Sequence, residues 1–357
     1  SGTSPVCSGT SQSYSIAAVS GATSYTWSYS GGGTAASSTT GVTFTPTSSG
    51  ALSVTATNSC GTSTAGSLTI TVNSNSTAPT SVTGATTICD GASTTLTLSG
   101  GSSGTGSAAQ WFVGSCGGTS AGTGNSITVS PSSNTTYFVR YSGTCNTTTC
   151  ASQLVTVNTN SVAPTSITGT NTICTGASTT LTLSGGSAGT GATAQWFTGS
   201  CGATAAGSGN SITVFPTANT TYFVRYSGTC NTTTCASQLV TVNPIDNASF
   251  SYSSGTYCLT GTDPLPTITG LGGGIFTIDN GGTINASSGL IDLGTSGLGV
   301  YVITYTTSGV CPNSATANVS ITSAPTATFS YTGTPYCSNA ANPVVTFGAG
   351  ASGGIFS

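Results

Sequence analysis

The block from Asn134 to Asn158, NTTYFVRYSGTCNTTTCASQLVTVN, recurs unchanged from Asn219 to Asn243. The same 85-residue shift carries Cys89, Cys116, Cys145 and Cys150 onto Cys174, Cys201, Cys230 and Cys235. A chain that repeats itself this closely is an array of small units, each closing its own core within about 80 residues. A second repeat type follows. Phe250-Ser251-Tyr252 with Tyr257-Cys258 returns as Phe329-Ser330-Tyr331 with Tyr336-Cys337, and Gly274-Ile275-Phe276 returns as Gly354-Ile355-Phe356. The sequence therefore divides into a first variant domain at 1–73, two copies of one repeat at 79–158 and 164–243, a different repeat at 244–323, and an incomplete start of a second such repeat at 325–357. Pro79, Pro164, Pro244 and Pro325 fall at the joints, where a missing backbone donor does no harm.

Within the units the side chains alternate in character with period two, as in Ser93–Leu98, Gln110–Val113, Ser126–Val129, Thr136–Tyr141 and Gln153–Val157. Gly-Gly and Ser-Gly clusters separate these runs, and no window carries a capped helical stripe. Several short strands per unit, punctuated by turns, predict antiparallel β-sandwiches in an all-β chain. The modest aliphatic content leans toward disorder. However, disorder usually needs high net charge, and here the net charge is only −3.

Charge is nearly absent. The only charged side chains are Asp90, Asp246, Asp263, Asp279, Asp292, Arg140 and Arg225. Two isolated arginines cannot form the basic patch that nucleic acid requires. Without histidine there is no Ser-His-Asp triad. Glycosidase chemistry needs two carboxylates in one domain, and apart from Asp246 at the joint of the same domain only Asp263, Asp279 and Asp292 share one. These three read as turn residues or solvated tips, and no Asp-x-Asp-x-Asp run marks a calcium loop. No catalytic residue, cofactor site or metal site is expected. No 18-residue apolar run is present, so no membrane-inserted helix is expected. The absence of a signal peptide and of a starting Met reads as an internal or processed piece of a longer exported protein.

The 13 cysteines point to disulfides and an oxidising location. Cys7 to Cys60 and Cys258 to Cys311 are each 53 residues apart, which favours a bond inside each domain. Cys60 precedes Asn73 by 13 residues, as Cys145 precedes Asn158. Aligning the domains on that relation predicts Cys89–Cys145 with Cys116–Cys150, and Cys174–Cys230 with Cys201–Cys235. The rival is Cys89–Cys116 with Cys145–Cys150, which ordinary sandwich strand directions favour because Cys89 and Cys145 would sit at opposite ends. Cys337 is expected to be unpaired. Zinc would call for Cys-x-x-Cys or histidine, and a nucleophilic cysteine for a nearby base.

Trp27, Trp111 and Trp196 lie between the cysteines of their domains and are expected in the cores, rather than exposed as sugar-stacking platforms. Arg140 and Arg225 are expected to face solvent, their stems covering the neighbouring tyrosines. Asn-x-Ser/Thr matches at Asn134, Asn146, Asn219 and Asn231 are weak evidence for glycans in so Ser/Thr-rich a chain.

Thr87-Ile88-Cys89-Asp90-Gly91, Gln110-Trp111-Phe112, and Tyr137-Phe138-Val139-Arg140-Tyr141 followed by Cys145 resemble the Ig-like repeats of large Bacteroidetes surface proteins. Gly21-Ala22-Thr23-Ser24-Tyr25-Thr26-Trp27 with Ala56-Thr57-Asn58-Ser59-Cys60-Gly61 is similar to their PKD-like domains, and the Phe-Ser-Tyr repeats resemble SprB-type gliding-motility adhesins. The resemblance implies tandem Ig-like and PKD-like domains, export by the type IX secretion system, and display on the outer cell surface without catalytic residues. The expected function is a mechanical filament in an adhesin for attachment or gliding. The expected partners are surface polysaccharide, a substratum or other cells, with lateral association through sheet edges that lack the usual Lys guard. A passive stalk, a self-assembling filament subunit and a carbohydrate-binding module are the alternatives.

Overall fold

In the computed structural model, which describes residues 1–333 and 335–348, the regular structure is β-strand throughout except for one four-residue helix at Leu293–Ser296. By contact density it falls into two compact units. One comprises 1–162 with 187–193 and 226–233; the other comprises 163–186, 194–225 and the residues from 234 onward.

The repeat at 79–158 shows how sequence pattern becomes fold. Thr135–Ser142 pairs antiparallel with Ala108–Val113 on one side and with Ala151–Asn158 on the other. Thr119–Thr123 and Thr87–Cys89 complete this five-stranded sheet. Thr94–Ser99, between Ser126–Val129 and Ser81–Thr83, forms the facing three-stranded sheet. The period-two alternation turns Tyr137, Val139 and Tyr141 inward, where they meet Leu96, Trp111 and Val155. Trp111, Val139, Leu96 and Val155 are fully buried. Residues 166–243 repeat the strand pattern, from Ser166–Thr168 to Ala236–Asn243.

The first domain uses the same plan with shorter sheets. Trp27, Tyr14, Phe44 and Leu52 make its core. In the domain at 244–323 the strands Thr256–Cys258, Ser314–Thr322, Gly299–Thr306 and Ile275–Ile278 form one four-stranded sheet, which contributes Phe276, Tyr305, Tyr301 and Ile303 to the core. Beyond it, Phe329–Tyr331 pairs with Val345–Phe347. The Gly354-Ile355-Phe356 part of the repeat lies outside the described residues.

Hydroxyl pairs across neighbouring strands take the place that charge pairs hold on most sheets. Thr95 faces Thr128 at 3.1 Å, Ser13 faces Thr43 at 2.8 Å, and Thr180 faces Thr213 at 3.1 Å between their oxygens. A surface almost without charge can therefore still hold its strand register.

One topological detail positions everything that follows. In each full domain the first cysteine-bearing strand runs parallel to the last strand. Cys7 thereby comes opposite Asn73, Cys89 opposite Asn158, Cys174 opposite Asn243, and Cys258 opposite Thr322. The first cysteine thus sits at the far end of the last strand, where the chain leaves the domain.

Candidate functional site at the domain junctions

That placement overturns four expected disulfides. Cys145 lies in the turn before Ala151–Asn158, whereas Cys89 lies at the other end of the same strand. An eight-residue strand is about 26 Å long, and a disulfide needs α-carbons within roughly 7 Å. Cys89–Cys145 cannot form. The same separation forbids Cys7–Cys60, Cys174–Cys230 and Cys258–Cys311. The bonds run instead from each domain to the next. Cys7 is bonded to Cys145, Cys89 to Cys230, and Cys174 to Cys311, with α-carbons 5.5, 5.6 and 5.6 Å apart. Within the two repeat copies, Cys116 joins Cys150 and Cys201 joins Cys235, the added pairs of the preferred alignment. Cys60 and Cys258, expected in bonds, are exposed free thiols, as is Cys337.

Each junction is built the same way. The carbonyl of Asn73 accepts the Ser8 N–H at 2.9 Å and lies 3.7 Å from Cys145 Sγ. Asn158 does the same with Asp90 and Cys230, and Asn243 with Thr175 and Cys311. The outgoing linker then enters a slot in the next domain, between the loop at Gly104–Ser107 and the turn at Gly143–Thr147. Ser76 is buried there, its hydroxyl donating to Ser107 Oγ at 2.9 Å and accepting from the Gly104 N–H at 3.0 Å. The Asn146 side chain grips both main-chain groups of Ser76. Asn231 grips Ser161 in the same way. Gly104 is required here. A β-carbon on it would come 2.3 Å from Ser74 O, and on its counterpart Gly189 2.4 Å from Thr159 O. At the third junction Asn313 Nδ2 donates to Asp246 O, and the Asp246 carboxylate accepts from the Thr307 hydroxyl at 2.9 Å. The linkers are thus seated segments rather than loose tethers.

The other singled-out residues are also structural. Trp111 and Trp196 are fully buried and donate to Gly124 O and Gly209 O at 2.8 Å. Trp27 is buried and donates to Thr39 O at 2.9 Å. None offers an open ring face to a sugar. Arg140 corrects its expectation. It lies on the sheet face opposite Tyr137 and Tyr141, with its guanidinium 4.9 Å from the Phe112 ring centre, and Arg225 stacks on Phe197 alike. Asn134 and Asn219, two of the sequon asparagines, accept from the Val157 and Val242 N–H groups at 2.8 Å.

The aspartates serve the backbone separately. Asp263 accepts from Leu293 N–H at 3.0 Å, and Asp279 accepts from Val302 N–H at 2.7 Å. Asp292 caps the short helix through Thr295. The Thr295 backbone N–H and its side chain hold the Asp292 carboxyl below its ordinary pKa of 3.8. Among the described residues, no three Cys, His, Asp or Glu gather as a metal would need, and no helix is long and apolar enough to cross a membrane.

Residues 1–70 match the family model of a PKD-like domain, and residues 77–159 and 162–244 each match that of an Ig-like domain, CHU_C associated. The chain is a tandem Ig-like repeat protein. No enzymatic family is indicated for these Ig-like repeats. Their disulfides mark them as secreted or extracellular. No curated protein matches the repeat chain. Among solved structures it is similar to an E-to-A variant of titin domains I67–I69, at 12% identity and TM-score 0.47 over 66% of this chain and 94% of that one. It is also similar to the ICAM-5 D1–D4 ectodomain fragment, at 10% identity and TM-score 0.41 over 89% of this chain and 96% of that one.

Proposed function

We propose that these repeats form the tension-bearing shaft of a bacterial outer-surface adhesin for attachment or gliding, exported by the type IX route. The resemblance of the repeats to Bacteroidetes surface proteins supports the setting. The observation that carries the mechanical reading is the overlap of successive disulfide loops, 7–145, 89–230 and 174–311. From Cys7 to Cys311 the backbone runs 304 residues, which is about 1,000 Å fully extended. The covalent route through Cys7–Cys145 and Cys174–Cys311 needs only the 29 residues from Cys145 to Cys174, about 100 Å. Unfolding under load therefore releases little length. Partners at the tip or along the shaft are surface polysaccharide, a substratum or other cells. Exposed apolar residues such as Phe215 (71% exposed) and Val310 (74%) support lateral association of shafts as well.

Single-molecule stretching between tags at the two ends tests the shaft. The oxidised chain yields a final extension across 7–311 near a tenth of that seen after reduction. Equal extensions in both states would remove the reading. The adhesive role is tested separately, by cells that lack the repeat region and lose attachment or gliding.

A further inference from the structure

Stacking on Phe112 accounts for where Arg140 sits but not for its charge. Asp90 is the one carboxylate of the 79–158 repeat, and it follows Cys89 at the Asn158 end of the strand Ala151–Asn158. Arg140 lies beside the other end of that strand, next to Val139, which pairs with Ala151. About 26 Å of strand separates the two charges. The second copy carries Thr175 in place of Asp90 and has no carboxylate within 164–243, yet it keeps Arg225. In both copies the guanidinium Nε is buried without a hydrogen-bond partner. A buried donor left unpaired destabilises the fold, and an aliphatic side chain would shield the ring without it. Charge retained against that penalty points to an anion from outside the domain.

The guanidinium is held ready for one. It lies 4.9 Å from the centre of the Phe112 ring. The loop at 114–118 closes on it, so that a β-carbon on Gly117 would come 3.2 Å from Nη1 and 3.4 Å from Nη2. The Cys116–Cys150 disulfide ties that loop to the residue before Ala151. Arg225 is enclosed alike by Phe197, Gly202 and the Cys201–Cys235 bond. With Nε occluded, the two Nη groups are the donors that remain, and Arg140 is partly open to solvent. A fork fixed in this way loses little rotamer freedom when it pairs with a planar oxyanion through two parallel hydrogen bonds.

Arg140 has polar company on its face. Gln110 is directly opposite it on one neighbouring strand, and Thr123 is opposite Gln110 on the next. Hydroxyl, amide and fork thus form a row about 10 Å long on the outer sheet face. Phe138, two residues along from Arg140 and partly exposed, adds an apolar wall on the same face. In the second copy Gln195 pairs with Ser208, on the strand beside that of Arg225. Hydrogen-bonding groups in a row beside an aromatic ring suit a sugar, and the fork suits a carboxylate.

We propose that Arg140 and Arg225 each bind a uronate carboxylate of an acidic polysaccharide, with Gln110 and Thr123, or Gln195 and Ser208, taking its hydroxyls. This rests on the reading of surface polysaccharide as the partner of the shaft, and names its chemical class. A net charge of −3 gives the chain no general attraction for polyanions, so the binding comes from these two sites.

The test titrates the full chain with trigalacturonic acid at physiological salt, read by NMR. The side-chain signals of Arg140, Arg225, Gln110 and Gln195 should shift together, while the buried Trp111 signal stays in place. The methyl-esterified trisaccharide, which lacks the charge, should bind roughly tenfold more weakly or worse. Arg140→Lys with Arg225→Lys keeps the charge but not the fork, and should weaken binding severalfold. Arg140→Gln with Arg225→Gln should abolish the shifts at Gln110 and Gln195, with unchanged Val139 and Val224 amide signals reporting an intact fold. Gln110→Ala with Gln195→Ala leaves both stacks intact and should still lower affinity severalfold. Equal binding by the ester, by a sulfated trisaccharide, by pentaglutamate or by any of these variants would overturn the proposal. Absence of binding to trigalacturonic acid would overturn it too, and would leave the adhesive role standing wherever cells without the repeat region still lose attachment.

Discussion

Asn146 holds Ser76 by both of its main-chain groups, accepting from the N–H at 2.8 Å and donating to the carbonyl at 2.8 Å. Ser76 belongs to the linker and Asn146 to the turn that also carries Cys145, so one side chain registers one domain on the next. Asn146→Ala leaves two buried backbone groups of Ser76 without partners, at a cost of about 1–3 kcal/mol. Amide exchange at Ser76 should quicken by roughly one to two orders of magnitude, while exchange at Val139 stays unchanged. Asn231→Ala should do the same at Ser161. Unaltered exchange at both serines would show that the disulfides alone set the junction.

The same contact bears on glycosylation. Asn146 and Asn231 begin Asn-Thr-Thr sequons, yet their amide nitrogens are committed to Ser76 and Ser161. The folded chain should be a poor acceptor at these positions. Intact mass of material exposed to a glycosylating host should show them unmodified, and full occupancy at Asn146 would contradict the clamp.

Trp111 is the largest fully buried side chain of its domain. Trp111→Ala should destabilise that domain by about 3–5 kcal/mol. Arg140→Ala, which removes only a cation stacked on Phe112, should cost about 0.5–2 kcal/mol. Denaturant titration followed by exchange within 79–158 separates the two. A reversed order would place the weight of the fold on the outer sheet face.

Removing a junction bond with Cys7→Ser and Cys145→Ser together should cost about 5 kcal/mol on the loop-entropy account of its 138-residue loop. Digestion of the unmodified chain without reduction should give peptides joining Cys7 to Cys145, Cys89 to Cys230 and Cys174 to Cys311. Recovery of Cys7 joined to Cys60 would restore the within-domain scheme.

Asp292 gives the domain at 244–323 a mild acid sensitivity. Its folded pKa lies below its ordinary value of 3.8, so the capping contribution is complete above that value and fades as pH falls through the lower, folded one. An NMR titration should find Asp292 titrating below an unfolded-peptide control. Asp292→Ala should flatten the loss of stability at acid pH. A titration at or above the control would refute the cap.

The sandwich and its core were legible because Tyr137, Val139 and Tyr141 alternate with outward residues, and because Trp111 recurs as Trp196. The junction bonds were not, for a reason inherent in repetition. Cys7 to Cys60 spans 53 residues, and adding the 85-residue repeat gives the observed 138 of Cys7–Cys145. Spacing alone cannot distinguish a partner in the same domain from its equivalent one domain on. The parallel pairing of Cys89 with Asn158 decides the matter, and a three-residue strand such as Thr-Ile-Cys carries no pattern that reveals its direction. The conflict between the aligned pairing and the strand directions of an Ig sandwich was the one visible sign. Arg140 was misplaced because alternation fixes its face but does not name the aromatic ring waiting there.

The overlapping loops have a further effect on durability. A protease cut at residue 80 leaves the pieces joined through Cys7–Cys145, a cut at 160 through Cys89–Cys230, and a cut at 250 through Cys174–Cys311. Any single nick between Cys7 and Cys311 falls inside at least one closed loop. A chain closed this way survives isolated damage without parting, as a braided cord outlasts the fraying of one strand.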